Sequence, residues 1–176
     1  METTSAILLR RTKLTDTSLI VTWLTQDHGR LKTVGKGARS AKSQFAGVLD
    51  LFFGCEISYV RSRRSDLHSL REVRLFEAHA PLRFDYPRLT LAAYFAELLE
   101  LVTEPEHAVP ELYDLLRRAL GYLDLHPASQ RALHHFESEL AKHLGIYQAE
   151  VAPSVAMQRI YHRLPDARTS LMRSLS

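Results

Sequence analysis

Ser18-Leu19-Ile20-Val21-Thr22-Trp23-Leu24-Thr25, then Gln26-Asp27-His28-Gly29, then Arg30-Leu31-Lys32-Thr33-Val34, is the stretch on which the fold turns. The first segment is dense in β-branched and aromatic residues, which fit a pleated, half-buried surface. The last alternates. A short connection containing Gly between two such runs predicts a β-hairpin. In its second strand Leu31, Thr33 and Gly35 share one face, while Arg30, Lys32, Val34 and Lys36 share the other, so one face is mostly cationic.

Outward from the hairpin the same pattern continues. Ser5 to Thr12 reads as a preceding strand, Leu49 to Tyr59 as a fourth and Leu67 to Glu77 as a fifth. Two small, basic segments separate them: Gly35-Lys36-Gly37-Ala38-Arg39-Ser40-Ala41-Lys42-Ser43 and Arg61-Ser62-Arg63-Arg64-Ser65-Asp66. Both have loop composition. Five short strands in 80 residues fit a closed five-stranded Greek-key barrel of the OB type, since closure removes exposed edges. An SH3-like barrel fits the strand count as well.

Beyond Pro87 the period changes to that of helices. Arg88 to Thr103 is apolar nearly all round, as a helix surrounded by other elements is. Pro110 suits the first turn of a second helix running to Asp124. A third spans Ser129 to Leu144, with Leu133, Phe136, Leu140 and Leu144 on one face and Gly145 where a left-handed cap belongs. One last short helix is expected over Leu164 to Leu175. The fold class is therefore α+β: an N-terminal OB-type barrel domain over 1–80, then a C-terminal α-helical bundle over 81–176, expected to pack on the barrel through the apolar stretch 80–88.

Composition bounds the function. The chain has 176 residues, 45% hydrophobic and 24% charged, the balance of a globular protein. Its longest unbroken apolar run, Leu91 to Ala96, falls far short of the ~20 residues a membrane span needs. The opening residues carry acid rather than base and no signal-peptide core, so a cytoplasmic protein is expected. With Cys55 as the single cysteine, no internal disulfide is available. Residues 1–80 hold 13 Lys and Arg against 8 Asp and Glu, whereas 81–176 hold 10 against 12, which suggests two surfaces for different partners.

Catalytic signatures are missing: no phosphate-binding loop, dinucleotide fingerprint, H-E-x-x-H or G-x-S-x-G occurs. His134, Glu139 and His143 lack metal-ligand spacing and read as a solvated helix surface. Cys55, inside an apolar strand, reads as core. Glu97 and Glu100 have no neighbouring acid–base partner. Neither an enzyme, a metal, a cofactor, a small-molecule substrate nor a membrane is expected.

Basic clusters say more. Lys36, Arg39 and Lys42 recur every three residues; Arg61, Arg63 and Arg64 form a second group; Arg10, Arg11 and Lys13 form a third near the end of the first strand. OB barrels hold single strands in a cationic groove with aromatic faces for the bases. Trp23, Phe45, Phe52, Phe53 and Tyr59 are the stacking candidates; most belong to a barrel core, and Phe45, between Gln44 and Ala46, is the one expected at the surface.

Thr25-Gln26-Asp27-His28-Gly29-Arg30-Leu31 and Lys36-Gly37-Ala38-Arg39-Ser40-Ala41-Lys42-Ser43 resemble the RecO family of recombination mediators. Asp66 to Leu70 resembles that family's fifth strand, while Leu91 to Leu101 and Phe136 to Ile146 resemble its helical half. The resemblance implies roles in DNA repair and homologous recombination: binding single- and double-stranded DNA, annealing complementary strands, and helping to load recombinase onto strands coated by the single-strand-binding protein. It implies RecR and the acidic C-terminal tail of the single-strand-binding protein as partners. DNA contacts carry over to Lys36, Arg39 and Lys42. Likeness ends after Ile146, where many members continue into a four-cysteine zinc ribbon whose cysteines this chain lacks. For the tail, a helical groove with Arg117, Arg118 and Arg131 is the candidate. Two other classes stay open: a plain single-strand-binding module, and a protein-interaction adaptor whose barrel binds RecR with incidental DNA contact.

Overall fold

A computed structural model describes all 176 residues, and they divide into two compact units. The first holds Met1–Ala78 together with Thr103–Tyr113; the second holds His79–Val102 and Asp114–Ser176. No helix is long and apolar enough to cross a membrane.

Five strands build the first unit: β1 (Glu2–Lys13), β2 (Leu19–Thr25), β3 (Gly29–Gly35), β4 (Gly54–Val60) and β5 (Leu67–Glu77). They close in the order β1-β2-β3-β5-β4. β1 is long because it serves both neighbours: Glu2–Ile7 pairs with β4, and Ala6–Lys13 with β2. A bulge between Leu8 and Arg10, within the β2 pairing and just past the last β4 pair, bends the strand, as an extra residue in one strand does. The barrel is completed by a parallel contact between Lys32–Val34 of β3 and Leu67–Ser69 of β5. That closure selects the OB architecture over the SH3-like one.

β3 alternates buried and half-buried from Gly29 to Gly35, so Leu31 and Thr33 face inward and Arg30, Lys32 and Val34 outward, as its sequence predicts. Inside the barrel, Trp23 is fully buried and its indole N–H donates to the Thr33 hydroxyl at 2.8 Å. A buried indole needs such a partner, and Thr33 is the inward residue that supplies it.

The segment 36–53 differs from expectation. Leu49 to Phe53 is not strand; β4 begins at Gly54. Its apolar residues are there to plug the barrel end, with Phe45, Leu49 and Phe53 all joining the core around Trp23. Phe52 N–H and Phe53 C=O bond the backbone of Leu8 beside the bulge, which ties the plug to β1. This overturns the surface position expected of Phe45, which is 3% exposed. Its polar neighbours face water while its ring fills the barrel end.

The second unit starts with a 3-10 turn, Ala80–Phe84, and contains α1 (Tyr86–Val102), the greater part of α2 (Pro110–Leu125), α3 (Gln130–His143), α4 (Pro153–Tyr161) and α5 (Ala167–Ser174). α4 was not expected from the sequence, and α5 is shorter than the predicted Leu164–Leu175. α3 is capped at both ends. The Ser129 hydroxyl accepts the Ala132 N–H, while Gly145, at φ 71°, lets Ile146 N–H reach Ala141 C=O and its own N–H reach Lys142 C=O. Those are the paired bonds of a Schellman ending.

Phe95 of α1 and Phe136 of α3 stack at 4.0 Å between ring centres. Next to Phe136 in α3, Glu137 is fully buried; its carboxylate accepts the Tyr94 hydroxyl at 2.6 Å and two N–H groups of Arg168 at 2.7 and 3.0 Å. A buried carboxylate is tolerated only when paired and hydrogen-bonded, and these bonds fasten α5 to α1 and α3.

Candidate nucleic-acid interface

The loop after β3 is a chain of turns that begins where Gly37 takes φ 70°. Ala38, Ser40 and Ser43 N–H groups bond the carbonyls of Gly35, Gly37 and Ser40 in succession. Arg39 stitches this loop to the turn between β1 and β2: its backbone N–H donates to Thr17 C=O at 3.0 Å, and its guanidinium to the carbonyls of Thr15 (3.2 Å) and Asp16 (2.9 Å). Carbonyls orient the guanidinium without cancelling its charge. Lys36 and Lys42 are exposed and make no ion pair or side-chain hydrogen bond. This loop therefore offers three uncompensated cations on a braced backbone.

The other two clusters are unequal. Arg11 is spent on the plug, pairing with Asp50 at 3.1 Å and donating to Leu49 C=O at 2.7 Å. Lys13 pairs with Asp16 at 2.8 Å, and Arg10 is exposed on the far side of the bulge. Arg63 and Arg64 stand exposed and unpaired on a turn braced by the Ser62 hydroxyl, which accepts the N–H groups of Arg64 and Ser65.

Arg61 is different. It donates to Glu2 at 2.9 Å and also to Glu106, so two carboxylates neutralise it. The Arg61 guanidinium, with the Tyr59 hydroxyl behind it, holds the Glu2 carboxyl down to about 2. Burial, and then Glu2, pushes the Tyr59 hydroxyl well above its ordinary range. His68, almost wholly buried, accepts the Ser62 N–H on Nδ1 at 3.1 Å, which leaves Nε2 to donate to Glu106 at 2.9 Å. Glu106 itself is seated by backbone: its N–H donates to Arg30 C=O at 3.0 Å, and Arg30 reaches Thr103 C=O at 2.9 Å. Residues 103–107 thus form a strap along the start of β3. Gly29, at φ 67°, has no room for a side chain, because a Cβ there would collide with the His107 carbonyl.

Every aromatic considered for base stacking in the barrel, namely Trp23, Phe45, Phe52, Phe53 and Tyr59, is at most 5% exposed. In sequence these rings are indistinguishable from surface platforms. The carboxylates that quench Arg61 lie 59 and 45 residues away in the chain, and no local signal reveals them.

Within the helical unit, Phe95, Leu115, Ala119 and Phe136 line a cavity of about 490 Å³ that Arg118, Arg131 and His135 also border. Arg118 is held by Asp114 at 2.7 Å. Arg117 does not line the cavity. His134, Glu139 and His143 share α3, where Glu139 is occupied by Lys142 at 2.8 Å.

A closed OB-type barrel with cationic loops, followed by a helical unit with an apolar, arginine-edged cavity, defines the class of protein. Residues 1–79 match the model of the recombination protein O N-terminal domain, and residues 83–150 that of its C-terminal domain. The chain is 34% identical over 140 residues to the DNA repair protein RecO of Rhodopirellula baltica, covering 80% of this chain and 52% of that protein. It is 37% identical over 123 residues to RecO of Desulfatibacillum aliphaticivorans (69% and 48%), and 28% identical over 166 residues to RecO of Idiomarina loihiensis (92% and 70%). The chain belongs to the RecO family of DNA repair proteins. It spans about half the length of most of the curated relatives it matches.

Proposed function

We propose that this chain is a recombination mediator whose barrel grips DNA phosphates with Lys36, Arg39 and Lys42, with Arg63, Arg64 and Arg10 as secondary contacts. The observation that carries the reading is the braced loop: Arg39 is oriented by two carbonyls, and Lys36 and Lys42 are exposed with no competing carboxylate. Phosphate contacts are sequence-independent, as binding both single- and double-stranded DNA and annealing complementary strands require. Recombinase loading on coated strands and association with RecR belong to the same proposal, and family membership supports them. In the helical unit the cavity suits the acidic C-terminal tail of single-strand-binding protein. Arg118 and Arg131 would meet its carboxylates, and the Phe95–Phe136 floor an apolar end residue. The adaptor reading draws support from the burial of Trp23, Phe45, Phe52, Phe53 and Tyr59, which leaves Phe76 of β5, 46% exposed, as the barrel's one open aromatic ring.

Binding of a fluorescent single-stranded oligonucleotide across a salt series separates the two. The variant is Lys36→Gln/Lys42→Gln, because replacing Arg39 would also release the β1–β2 turn. Each lost single-strand phosphate contact flattens the log–log salt slope by about 0.7, so a change of about 1.4 is expected, with weaker binding throughout. Arg61→Gln should leave the slope as it is. An unaltered slope in the lysine variant would leave the adaptor as the better account.

A further inference from the structure

Phe84 and Tyr86 are 89% and 77% exposed, and neither ring touches another ring or makes a hydrogen bond. We propose that these two side chains are a stacking platform for the unpaired bases of a single strand. The inference rests on the DNA reading above and adds two rings far more exposed than Phe76, the barrel's one open aromatic at 46%.

The rings are exposed but their backbone is not loose. Leu82, 2% exposed, anchors the 3-10 turn on one side, and its N–H closes that turn on His79 C=O at 3.1 Å. Asp85, between the two rings, holds the start of α1: its carboxylate accepts the Arg88 N–H at 3.0 Å and its carbonyl the Leu89 N–H at 3.0 Å. A rigid mount lowers the entropy lost when a base stacks. The surroundings favour nucleic acid over a protein surface. Protein docking sites are contiguous apolar patches, whereas these rings alternate with charge in Arg83-Phe84-Asp85-Tyr86-Pro87-Arg88. The one carboxylate in that run is engaged by the Arg88 guanidinium at 3.3 Å, which mutes its repulsion of phosphate. Aromatic faces beside cations are the general recipe for single strands, because every base has a π-face.

The test compares wild type with Phe84→Ala/Tyr86→Ala on two strands of equal length, one intact and one in which abasic sites replace the bases. Both substitutions lie at the surface, and circular dichroism checks that the helices persist. Wild type should bind the abasic strand about tenfold or more weakly than the intact one. The double variant should bind both alike, with the salt slope of wild type, since no charge is removed. A variant that keeps the preference for the intact strand, or a wild type that has none, overturns the platform and assigns the rings to a protein partner. No binding of the intact strand by wild type would sink the DNA reading itself, and the platform with it.

Discussion

Replacing Arg168 by Met tests the buried carboxylate on which the helical unit is assembled. Glu137 is fully buried, and of its three close hydrogen bonds Arg168 supplies two. Removing the guanidinium leaves the carboxylate with one hydrogen bond, from the Tyr94 hydroxyl, and the His134 ring nitrogen at 3.8 Å. Breaking a buried ion pair from one side costs ~3–5 kcal/mol. The Arg168 side chain is 22% exposed, so water can reach part of the gap and the lower figure, about 3 kcal/mol, applies. For a unit of this size each kcal/mol moves the melting midpoint by about 4 °C or more, giving a drop of about 12 °C in the helical signal at 222 nm. The control is Tyr94→Phe/Glu137→Leu/Arg168→Met, which removes the carboxylate together with both groups that hydrogen-bond to it and should lie within about 1 kcal/mol of wild type, because no orphaned buried charge remains. A single variant that melts within about 2 °C of wild type would refute the reasoning, since the carboxylate would then have found water or a proton at little cost. Arg168 lies beyond residue 150, where the match to the C-terminal family model ends, so the experiment also measures how far α5 contributes to the stability of the unit.

Glu2 sets an acid limit on the barrel. Its carboxyl is held down to about 2 from an ordinary 4.5, so the stabilisation it brings is complete above about 4.5 and is lost as pH falls towards 2. Glu2→Gln should therefore melt earlier than wild type at pH 6 and together with it near pH 2, and a gap independent of pH would contradict the Arg61 pairing. Burial pushes the Cys55 thiol up to about 12. In native protein at pH 8 a disulfide-exchange reagent should modify it only as fast as the barrel opens, and at once in denaturant; rapid native labelling would contradict the sealed core.

The parts of the fold legible in sequence are those fixed by neighbours. The β2–β3 hairpin could be read because alternation and a glycine turn are local, and α3 because Ser129 and Gly145 punctuate an apolar stripe. What was misread depends on distant partners. Leu49 to Phe53 is as apolar as a strand, yet the open end of the barrel claims it as a plug. Phe45 has polar neighbours, but its burial is decided by Trp23 and Ile57, to which it has no local relation in sequence. α4 was missed because it has nine residues and a broken apolar pattern in which Val155 and Ile160 remain exposed. At the interface, the loop from Lys36 to Lys42 was legible as a charge cluster, whereas the quenching of Arg61 was not.

Segment 103–113 changes the meaning of the charge count. Read along the chain, residues 1–80 carry a balance of +5 and residues 81–176 one of −2, an asymmetry that suggests two oppositely biased surfaces. The barrel unit, however, also contains 103–113, which brings Glu104, Glu106 and Glu111 and no Lys or Arg, so its balance falls to +2 and that of the helical unit rises to +1. Folding thus erases most of the asymmetry. At ordinary ionic strength charges farther apart than about 10 Å are largely screened from one another, so net charge steers DNA weakly and local arrangement decides. Glu106 lies against Arg61, whereas the loop 36–43 carries no carboxylate at all. A barrel that relied on its overall charge would lose its grip when the strap was added. The grip proposed for Lys36, Arg39 and Lys42, three cations within seven residues, does not depend on that balance.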